Sequence, residues 1–435
     1  MDVADTPTLE RAQKWLLHHS LEHLHGPAEI PGRKDDLVVL CLLRDGEPHL
    51  RTFVEHHFAL GAKHLVFLDN GSTDGTVEAL KEYDNVTVLR TRLPYRTYQV
   101  SMKQYLVQRF GHGRWTLYAD VDELFDYPYS DVVSLKALLG YLNDNRYTAV
   151  VAHMLDVFPE SALSEVAEGG SLKERHRFYD LADVIVREYS EAGDLDNVVS
   201  NGEIKIYQGG VQKRLFGISP LLTKHSLVFL DGKLRPMDLS DHFAGGARVA
   251  DFTGLLLHYK LSAGLYGMVR REVEERSYPN RYGKYDKYAK VLEGAPSLPI
   301  TSETSRELGN VNDLAHNGFL AVSEEYLSFV DREERRKTGE SRALLKALSE
   351  TRGQLGAESR RTAVLRDRVQ ELERDLEQER RRAGQLEERN RNLEKHAANL
   401  ERRLRTVYSS RAGRLLTFLG RVKTVAARVF AKKRG

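Results

Sequence analysis

Residues 37–76 have the sequence LVVLCLLRDGEPHLRTFVEHHFALGAKHLVFLDNGSTDGT, and this stretch decides the fold. Leu37–Leu43 is a short unbroken apolar run, which is typical of a parallel strand covered on both faces. Pro48–Leu60 carries apolar residues at helical spacing and is followed by Gly61, a residue type that commonly ends helices. His64–Leu68 is a second apolar run. The stretch therefore predicts a strand, a helix and a second strand in succession.

The same alternation continues toward the C-terminus. The further predicted elements are helix Val77–Tyr83, strand Val86–Leu89, helix Thr97–Phe110, strand Trp115–Ala119, helix Ser134–Leu142 and strand Thr148–Leu155. Asp231-Gly232 lies within Leu221–Pro236 and predicts a hairpin turn there. Strands that alternate with helices imply an α/β fold with a mainly parallel sheet. We place this domain at residues 37–330, after an N-terminal extension, 1–36, that contains a helix at Leu9–His25.

Composition narrows the classes of protein to consider. The net charge is only +2 and the aromatic residues do not alternate with a basic stripe, so we expect no nucleic-acid binding. A single cysteine, Cys41, excludes an intramolecular disulfide framework. No stretch reaches the roughly 18 to 20 apolar residues that span a bilayer, and the polar N-terminus lacks a signal-peptide pattern. We therefore expect a cytoplasmic protein.

The last third of the chain has a seven-residue repeat. With Leu348, Leu355, Thr362, Val369, Leu376, Ala383, Asn390, Ala397 and Leu404 at position a, position d is filled by Leu344, Leu365, Leu372, Leu386, Leu393, Leu400 and Val407. This pattern predicts a coiled coil over residues 340–408, and a polar residue at one a position, Asn390, favours a parallel homodimer.

Residues 411–435 predict an amphipathic tail helix. Its apolar face is opposed by basic residues, and the segment has no acidic residue. Such a composition is typical of a helix that lies on anionic lipid. We expect the tail to hold the protein at the inner face of a membrane, and the alternative is that the same apolar face packs on the protein or extends the helix bundle. Flotation with anionic vesicles at low salt distinguishes the two.

Acidic residues follow two of the predicted strands. Asp120-Val121-Asp122 places two carboxylates two residues apart after strand Trp115–Ala119, a spacing that suits Mn²⁺ or Mg²⁺ and a bound diphosphate. Asp69-Asn70 follows strand His64–Leu68. In an open parallel sheet ligands bind at the carboxyl ends of the strands, which favours a functional interpretation of both motifs. The alternative for each is a turn that caps the next helix.

The motifs together resemble those of the family 2 glycosyltransferases of GT-A fold, and most closely the subgroup allied to family 92. The resemblance rests on Leu42–Glu47, Phe67–Thr76 and Ala119–Glu123 and extends from Leu37 to Arg271, including Gly209–Gly217 and Leu257–Lys260. It implies a nucleoside-diphosphate sugar donor, a glycan or other hydroxyl acceptor, and inversion at the anomeric carbon. The first loop departs from the usual Lys-Asn-Glu.

The resemblance also implies roles for individual residues. It assigns Asp69 and Asn70 to the nucleoside, Asp120 to the ribose or metal, and Asp122 to the metal. His258 is the expected further metal ligand, with His242 as the alternative. For the general base that inversion requires we favour Asp156 over Asp241. The remaining expected donor contacts are basic residues: Arg44, Lys213, Arg214 and Lys224.

Two other functions stay open at this level. A nucleotidyltransferase that makes nucleotide sugars also combines a nucleotide crevice with a carboxylate-bound metal, but Arg44-Asp45-Gly46-Glu47 is a poor match to its Gly-rich basic loop. A non-catalytic coiled-coil scaffold would not need Asp120 and Asp122. Hydrolysis of a UDP-sugar with and without Mn²⁺ distinguishes the three.

We predict that residues Arg342–Val407 form a parallel dimer without the catalytic domain, because the apolar a and d positions supply the contact between two helices. Analytical ultracentrifugation of the isolated segment measures this. Asn390→Leu should raise the melting temperature and broaden the oligomer distribution, because the buried amide selects one state at some cost in stability. A monomeric segment would contradict the prediction.

Overall fold

A computed structural model describes residues 6–162, 171–193, 195–240, 242–262, 264–275, 282–295 and 297–354, together with parts of 374–398. The chain divides into two compact units, Met1–Asp331 and Arg332–Gly435. The helices are α1 Thr6–Ser20, α2 Glu47–Leu60, α3 Thr76–Leu80, α4 Tyr95–Phe110, α5 Leu135–Asp144, α6 Leu172–Arg175, α7 Val211–Phe216, α8 Leu265–Glu275, α9 Tyr282–Gly294, α10 Val311–His316 and α11 Glu324–Gln354.

The strands of the first unit form one main sheet and three two-stranded sheets. They are β1 Glu22–His25, β2 Leu37–Leu43, β3 His64–Asp69, β4 Val86–Arg90, β5 Trp115–Tyr118, β6 Glu123–Asp126, β7 Ala149–Asp156, β8 Phe178–Tyr179, β9 Val184–Glu188, β10 Val198–Val199, β11 Lys205–Gly209, β12 Thr223–Phe229, β13 Arg235–Ser240, β14 Phe243–Gly245, β15 Arg248–Val249, β16 Gly254–His258 and β17 Arg306–Glu307.

The main sheet has eleven strands and confirms the predicted α/β fold with a mostly parallel sheet. Its order is β1-β4-β3-β2-β5-β12-β7-β15-β10, and β16 joins β7 to β6. Strands β4, β3, β2 and β5 are parallel, as are β7 and β16, whereas β12 runs antiparallel between β5 and β7. Because β12 is antiparallel to both β5 and β7, β7 runs in the same direction as β5. Strands β7 and β16 therefore end at the same edge as β2, β3 and β5.

Helices cover both faces of this sheet. Alternate residues of β2 lie in two different apolar clusters, because successive side chains of a strand point to opposite faces. Val39 and Cys41 pack with Phe53 of α2, while Leu40 packs with Leu106 of α4. The unbroken apolar sequence of β2 is thus explained by burial on both sides.

The N-terminal segment differs from the expected long helix. Helix α1 ends at Ser20, and Glu22–His25 forms β1, which pairs antiparallel with β4 at the edge of the sheet. Gly26 has φ 77°, and a Cβ there would lie 1.9 Å from the carbonyl oxygen of Val86, so only glycine lets the chain turn so close to β4. Residues 22–25 are therefore part of the sheet rather than of a separate extension.

The expected hairpin at Asp231-Gly232 is wrong in its pairing. The turn itself is present, because the Asp231 carboxylate accepts from the backbone of Lys233 and Leu234. Strand β12, however, pairs with β5 and β7, and β13 pairs with β14. A local turn signal does not determine which strands pair. Here β12 pairs with two strands of the main sheet and not with β13.

The predicted C-terminal elements are described only in part. Helix α11 extends to Gln354. The rest of the coiled-coil segment 340–408 lies largely outside the described residues, and the tail 411–435 lies wholly outside them. Within the described part of the chain, no helix combines the length and the apolarity needed to cross a bilayer.

We predict that Leu17→Ala destabilises the first unit by about 2–5 kcal/mol, because Leu17 is 1% exposed and packs in the cluster of Met102 and Leu106. Leu16→Ala is the matched control, since the neighbouring Leu16 is 44% exposed and should change stability by less than about 0.5 kcal/mol. Urea unfolding measures both. Equal effects would show that α1 is not packed on the domain.

Candidate active site

The candidate site lies at the edge of the sheet where β5, β7 and β16 end. Strands β7 and β16 are parallel and in register, which places their last residues, Asp156 and His258, side by side. Asp120 and Asp122 lie in the turn between β5 and β6, and β6 pairs with β16. The backbone carbonyl of Asp122 accepts from the amide of Tyr259 at 2.8 Å. The sheet thus brings together residues that are more than a hundred positions apart.

His258 occupies the centre of this cluster. Its Nδ1 is 2.6 Å from Oδ1 of Asp156, and its Nε2 is 3.5 Å from Oδ2 of Asp122. An ionised carboxylate can only accept a hydrogen bond, so Nδ1 donates to Asp156 and Nε2 faces Asp122. Burial disfavours the charged imidazole, but Asp122 and Asp156 outweigh it and raise the pKa of His258 to about 10.

Asp122 is the most accessible carboxylate that contacts His258. Its side chain is 21% exposed. Burial opposes its ionisation, but the charge of His258, followed by its hydrogen bond and the charges of Lys260 and His49, holds the pKa of Asp122 well below its usual range. Asp122 is therefore a carboxylate that stays ionised and remains partly exposed to solvent.

Asp156 does not have the surroundings expected of a general base. It is the last residue of β7 rather than the residue after it, and its side chain is 3% exposed. One oxygen accepts from His258, and both accept from Nε2 of Gln212 at 3.0 Å. The carboxylate is buried behind the imidazole, so this geometry orients His258 and leaves almost no surface for an acceptor hydroxyl.

Asp120 is surrounded by cations. Lys103 Nζ is 3.8 Å from Oδ1 and Lys224 Nζ is 3.9 Å from Oδ2 of Asp120. The Tyr118 hydroxyl donates to Oδ1 at 3.1 Å. Both lysines are 4% exposed, whereas the Asp120 side chain is 41% exposed. Asp120 therefore presents an open carboxylate whose charge is already compensated from inside the domain.

Next to Asp120, Lys224 and Glu123 form a buried ion pair. Lys224 Nζ lies 2.5 Å from Oε2 of Glu123, and the same oxygen accepts from the Asp120 amide at 2.9 Å. Burial raises the pKa of Glu123 despite Lys224. Burial opposes the charge on Lys224, but Glu123 and Asp120 raise its pKa. Lys224 was expected to bind a diphosphate, and the structure places it in this internal pair.

Asp69 supports the following loop instead of facing the crevice. Its side chain has no exposed surface. Oδ2 accepts from Arg90 Nε at 2.7 Å and from the Gly71 amide at 3.2 Å, and Oδ1 accepts from the Ser72 amide at 3.0 Å. The Asp69 carboxylate was expected to contact a nucleoside. It is fully buried, so none of its atoms is accessible to a ligand.

Asn70 keeps one group for a ligand. It is 8% exposed, and its amide nitrogen donates to the carbonyls of Thr91 and Leu93 at 3.1 and 2.9 Å. Of the side-chain amide, the oxygen is left for further contacts. It can accept a hydrogen bond from an N–H or hydroxyl group of a ligand.

The loop after β2 is tied to its neighbours by ion pairs. Arg44 Nη1 is 3.0 Å from Glu275, and Arg271 pairs with Asp45. Asp45 also accepts from the amide of Thr73 at 2.7 Å. Arg44 is exposed, and its ion pair joins the first loop to the end of α8.

The other expected basic contacts lie away from the carboxylate cluster. Lys213 Nζ is 3.9 Å from Asp183, and Arg214 Nε is 3.7 Å from Asp180. Arg214 also donates to the carbonyl of Ile300. The structure pairs both residues with acidic or backbone groups of the β8–β9 region and the chain after α9, so neither is joined to Asp120 or Asp122.

The two alternative residues do not replace those at the centre. Asp241, the second choice for the general base, lies outside the described residues. His242 Nδ1 is 3.1 Å from the carbonyl of Thr223 in β12. His258 alone of the two histidines faces Asp122.

The residues present fit a divalent cation at Asp122 and His258. Ligand atoms about 2.1 Å from such an ion lie about 3 Å apart at a right angle, close to the 3.5 Å between Asp122 Oδ2 and His258 Nε2. No group of three His, Cys, Asp or Glu in the described part of the chain is arranged as a metal site. The protein would thus supply two ligands, and phosphate oxygens and water the others, as Mg²⁺ sites commonly have.

His49 is a buried histidine that is influenced by the charge of Asp122. Its Nδ1 is buried and has no hydrogen-bond partner among the described residues, and Asp122 is the carboxylate that acts on it. Burial lowers the pKa of His49 despite Asp122. A buried polar atom left unpaired costs about 1–3 kcal/mol, which a hydrogen bond to a ligand or water would offset.

Sequence reasoning missed several residues of the site. Lys103 escaped because a lysine in a helix carries no local signal, and Glu123 lay inside the recognised segment Ala119–Glu123 but had no assigned role. Gln212 was inside the recognised segment Gly209–Gly217 but had no assigned role. The only signal for Gln212 in the sequence was its position two residues after Gly209-Gly210 at the end of a strand.

Comparison with known proteins adds a fold-level likeness only. No family model matches the chain, and no curated protein matches its sequence. It is similar to the mannosyltransferase PcManGT from Pyrobaculum calidifontis, solved with GDP-Man and Mn²⁺, at 17% identity over 33% of this chain and 42% of that one, with a TM-score of 0.21. It is also similar to glucosyl-3-phosphoglycerate synthase from Mycobacterium tuberculosis, solved with Mn²⁺, UDP and glucosyl-3-phosphoglycerate, at 16% identity over 31% of this chain and 52% of that one, with a TM-score of 0.21.

The matched region spans about half of the length of these solved chains. TM-scores of 0.21 are too low to support an assignment of function. We therefore base the function on the geometry of the site.

We predict that Lys224→Met destabilises the first unit by about 3–5 kcal/mol, because it leaves Glu123 as a buried charge without its cation. Adding Glu123→Gln should recover at least half of the loss, since the amide oxygen can still accept from the Asp120 amide. Urea unfolding of the wild type, single and double variants measures the free energy. No recovery in the double variant would show that the pair is not the cause.

Proposed function

We propose that the chain transfers a sugar from a nucleoside-diphosphate sugar, with a UDP-sugar as the first candidate, to a hydroxyl group of a glycan or other acceptor. The observation that carries this proposal is the Asp122–His258 pair, which is oriented from behind by Asp156 at the edge where parallel strands end. Ligands of open α/β sheets bind at this edge.

A divalent cation, Mn²⁺ or Mg²⁺, is the proposed cofactor. Asp122 and His258 would hold it, and when bound it would neutralise the diphosphate that leaves the sugar. The chain's own contribution is to keep Asp122 ionised and to fix the direction of His258 Nε2. The buried contact with Asp156 does the latter, as the partners of metal-binding histidines generally do.

The remaining residues form the donor side of the crevice. Asp120 is open to solvent and compensated by Lys103 and Lys224, so it suits hydrogen bonding to the ribose hydroxyls without adding a second full charge to the cation. Asn70 offers its amide oxygen to the nucleoside. Asp69 acts indirectly, because it holds the Gly71 and Ser72 amides in place.

The burial of Asp156 changes the proposal for the chemical step. Inversion is proposed from the resemblance in sequence, and it requires a base that reaches the acceptor hydroxyl. Asp156 is enclosed by His258 and Gln212, so we assign it to positioning and not to proton transfer. Dimerisation through residues 340–408 and attachment of the tail to anionic lipid at the cytoplasmic face are part of the same proposal.

We expect Asp122→Ala to reduce metal-dependent release of UDP from a UDP-sugar by at least about 100-fold, because it removes an ion ligand and not only a supporting contact. Asp156→Asn should weaken Mn²⁺ binding by about 10–100-fold, since the amide holds His258 less firmly. A general base would instead lower kcat and leave the affinity for Mn²⁺ unchanged.

Asp84→Ala is the control, because Asp84 is exposed and precedes β4 at the opposite edge of the sheet. The measurements are UDP release over a panel of UDP-sugars and Mn²⁺ titration of each variant. Wild-type activity in a folded Asp122→Ala variant would exclude the proposed metal site. Release of pyrophosphate from a nucleoside triphosphate and a sugar phosphate would identify a nucleotidyltransferase instead.

A further inference from the structure

We propose that Gln212 and Tyr288 are positioning residues of the metal site, which hold Asp156 and, through it, His258 in the orientation that turns Nε2 toward Asp122. The inference rests on the proposed function, because it concerns the same metal site. Neither residue contacts Asp122, and neither carries a role in the sequence motifs.

Gln212 reaches Asp156 because of the turn before it. Gly209 and Gly210 have φ values of 89° and 66° and lead from β11 directly into α7. A Cβ on Gly209 would lie 2.7 Å from the carbonyl oxygen of Asp183, so a side chain is not accommodated there. This tight turn places Gln212, at the second position of α7, inside the domain with 1% exposure.

The orientation of the Gln212 amide is determined by its two neighbours. Its Nε2 lies 3.0 Å from each oxygen of Asp156, and its Oε1 lies 2.5 Å from the Tyr288 hydroxyl. A carboxylate can only accept, so the amide NH₂ must face Asp156 and the amide oxygen must accept from Tyr288. The phenol therefore prevents the amide from turning over.

The amide in turn restricts the Asp156 carboxylate. Donation to both oxygens leaves the carboxylate one favourable plane, and in that plane Oδ1 meets His258 Nδ1 at 2.6 Å. Because the ring donates from Nδ1, an ion that displaces the Nε2 proton meets the Nε2 lone pair in a fixed direction. The sequence of contacts thus runs from Tyr288 through Gln212 and Asp156 to His258.

Packing alone does not account for these polar groups. Around them, Val211, Phe216 and Leu292 form an apolar cluster, and Tyr288 is 0% exposed. Burying an amide and a hydroxyl in such surroundings is unfavourable unless both are hydrogen bonded, so leucine and phenylalanine would serve a purely packing role as well or better. The polar pair is explained if its purpose is to orient Asp156.

The test measures binding of Mn²⁺ alone to the full-length chain, by the electron paramagnetic resonance signal of the free ion. Gln212→Leu removes the hydrogen bonds to Asp156 and Tyr288 at similar volume and should raise the Kd for Mn²⁺ about 10–100-fold, the usual effect of losing a supporting contact of a ligand. Tyr288→Phe removes only the hydroxyl and should raise it about 2- to 10-fold, as expected for one hydrogen bond.

Tyr266→Phe is the matched control, because the Tyr266 hydroxyl lies in the same cluster and donates its proton to the carbonyl of Leu292 at 3.1 Å. Its Kd should equal that of the wild type, and thermal unfolding of every variant reports stability separately. If Gln212→Leu fails to fold, Tyr288→Phe decides the matter.

The outcomes separate the two proposals. Unchanged Mn²⁺ affinity in folded Gln212→Leu or Tyr288→Phe, with a wild type that binds Mn²⁺ and releases UDP, overturns the positioning role alone. An equal loss of affinity in Tyr266→Phe also overturns it, because the effect would then follow from packing. A wild type that binds no Mn²⁺ overturns the metal site and this inference together.

Discussion

Compensation of buried negative charge is the constraint on which this edge of the sheet depends. Five acidic side chains meet there, and in surroundings of low dielectric constant they repel one another unless each has a partner. The structure supplies a specific partner to each: Arg90 to Asp69, Lys103 and Lys224 to Asp120, Lys224 to Glu123, and His258 to both Asp122 and Asp156. Each cation comes from a different element, so the strand order that brings these elements together also determines the chemistry of the edge.

The fold was predictable where its signals are local. The apolar run of β2, the helical spacing of α2 and the Gly61 cap are properties of neighbouring residues, and they gave the βα alternation correctly. The insertion of β12 between β5 and β7 was not predictable, because pairing between residues some 70 to 110 positions apart leaves no mark on the sequence of β12. The same holds for β1, whose four residues continue a helical pattern but pair with β4.

The positions of the candidate site's carboxylates could be predicted from the sequence, but their surroundings could not. Strand-end aspartates are visible in the sequence, but whether one faces the crevice or the interior depends on distant partners. Asp69 and Asp156 both follow or end predicted strands, yet both are buried by contacts with Arg90 and with His258 and Gln212. The pairs Lys224–Glu123 and His258–Asp156 join residues 101 and 102 positions apart. Such separations explain why motif spacing could locate these acidic residues at strand ends but could not show that Asp69 and Asp156 are buried.

Rigid loops give this edge a further property. Asp45 accepts from the Thr73 amide and Ser72 accepts from the Asp45 amide, so the loops after β2 and β3 are joined to each other. Arg271 holds Asp45 from α8, which adds a third segment. A ligand that enters between such loops does not have to order them, and binding avoids a cost of about 0.5–1.5 kcal/mol for each side chain that would otherwise be immobilised. Because the carboxylate of Asp69 is committed to holding the loop, the proposed recognition of a nucleoside would fall to the Asn70 amide oxygen and to backbone groups. Neutral groups of this kind distinguish bases by hydrogen-bond pattern without adding a sixth negative charge to an edge that already has to neutralise five.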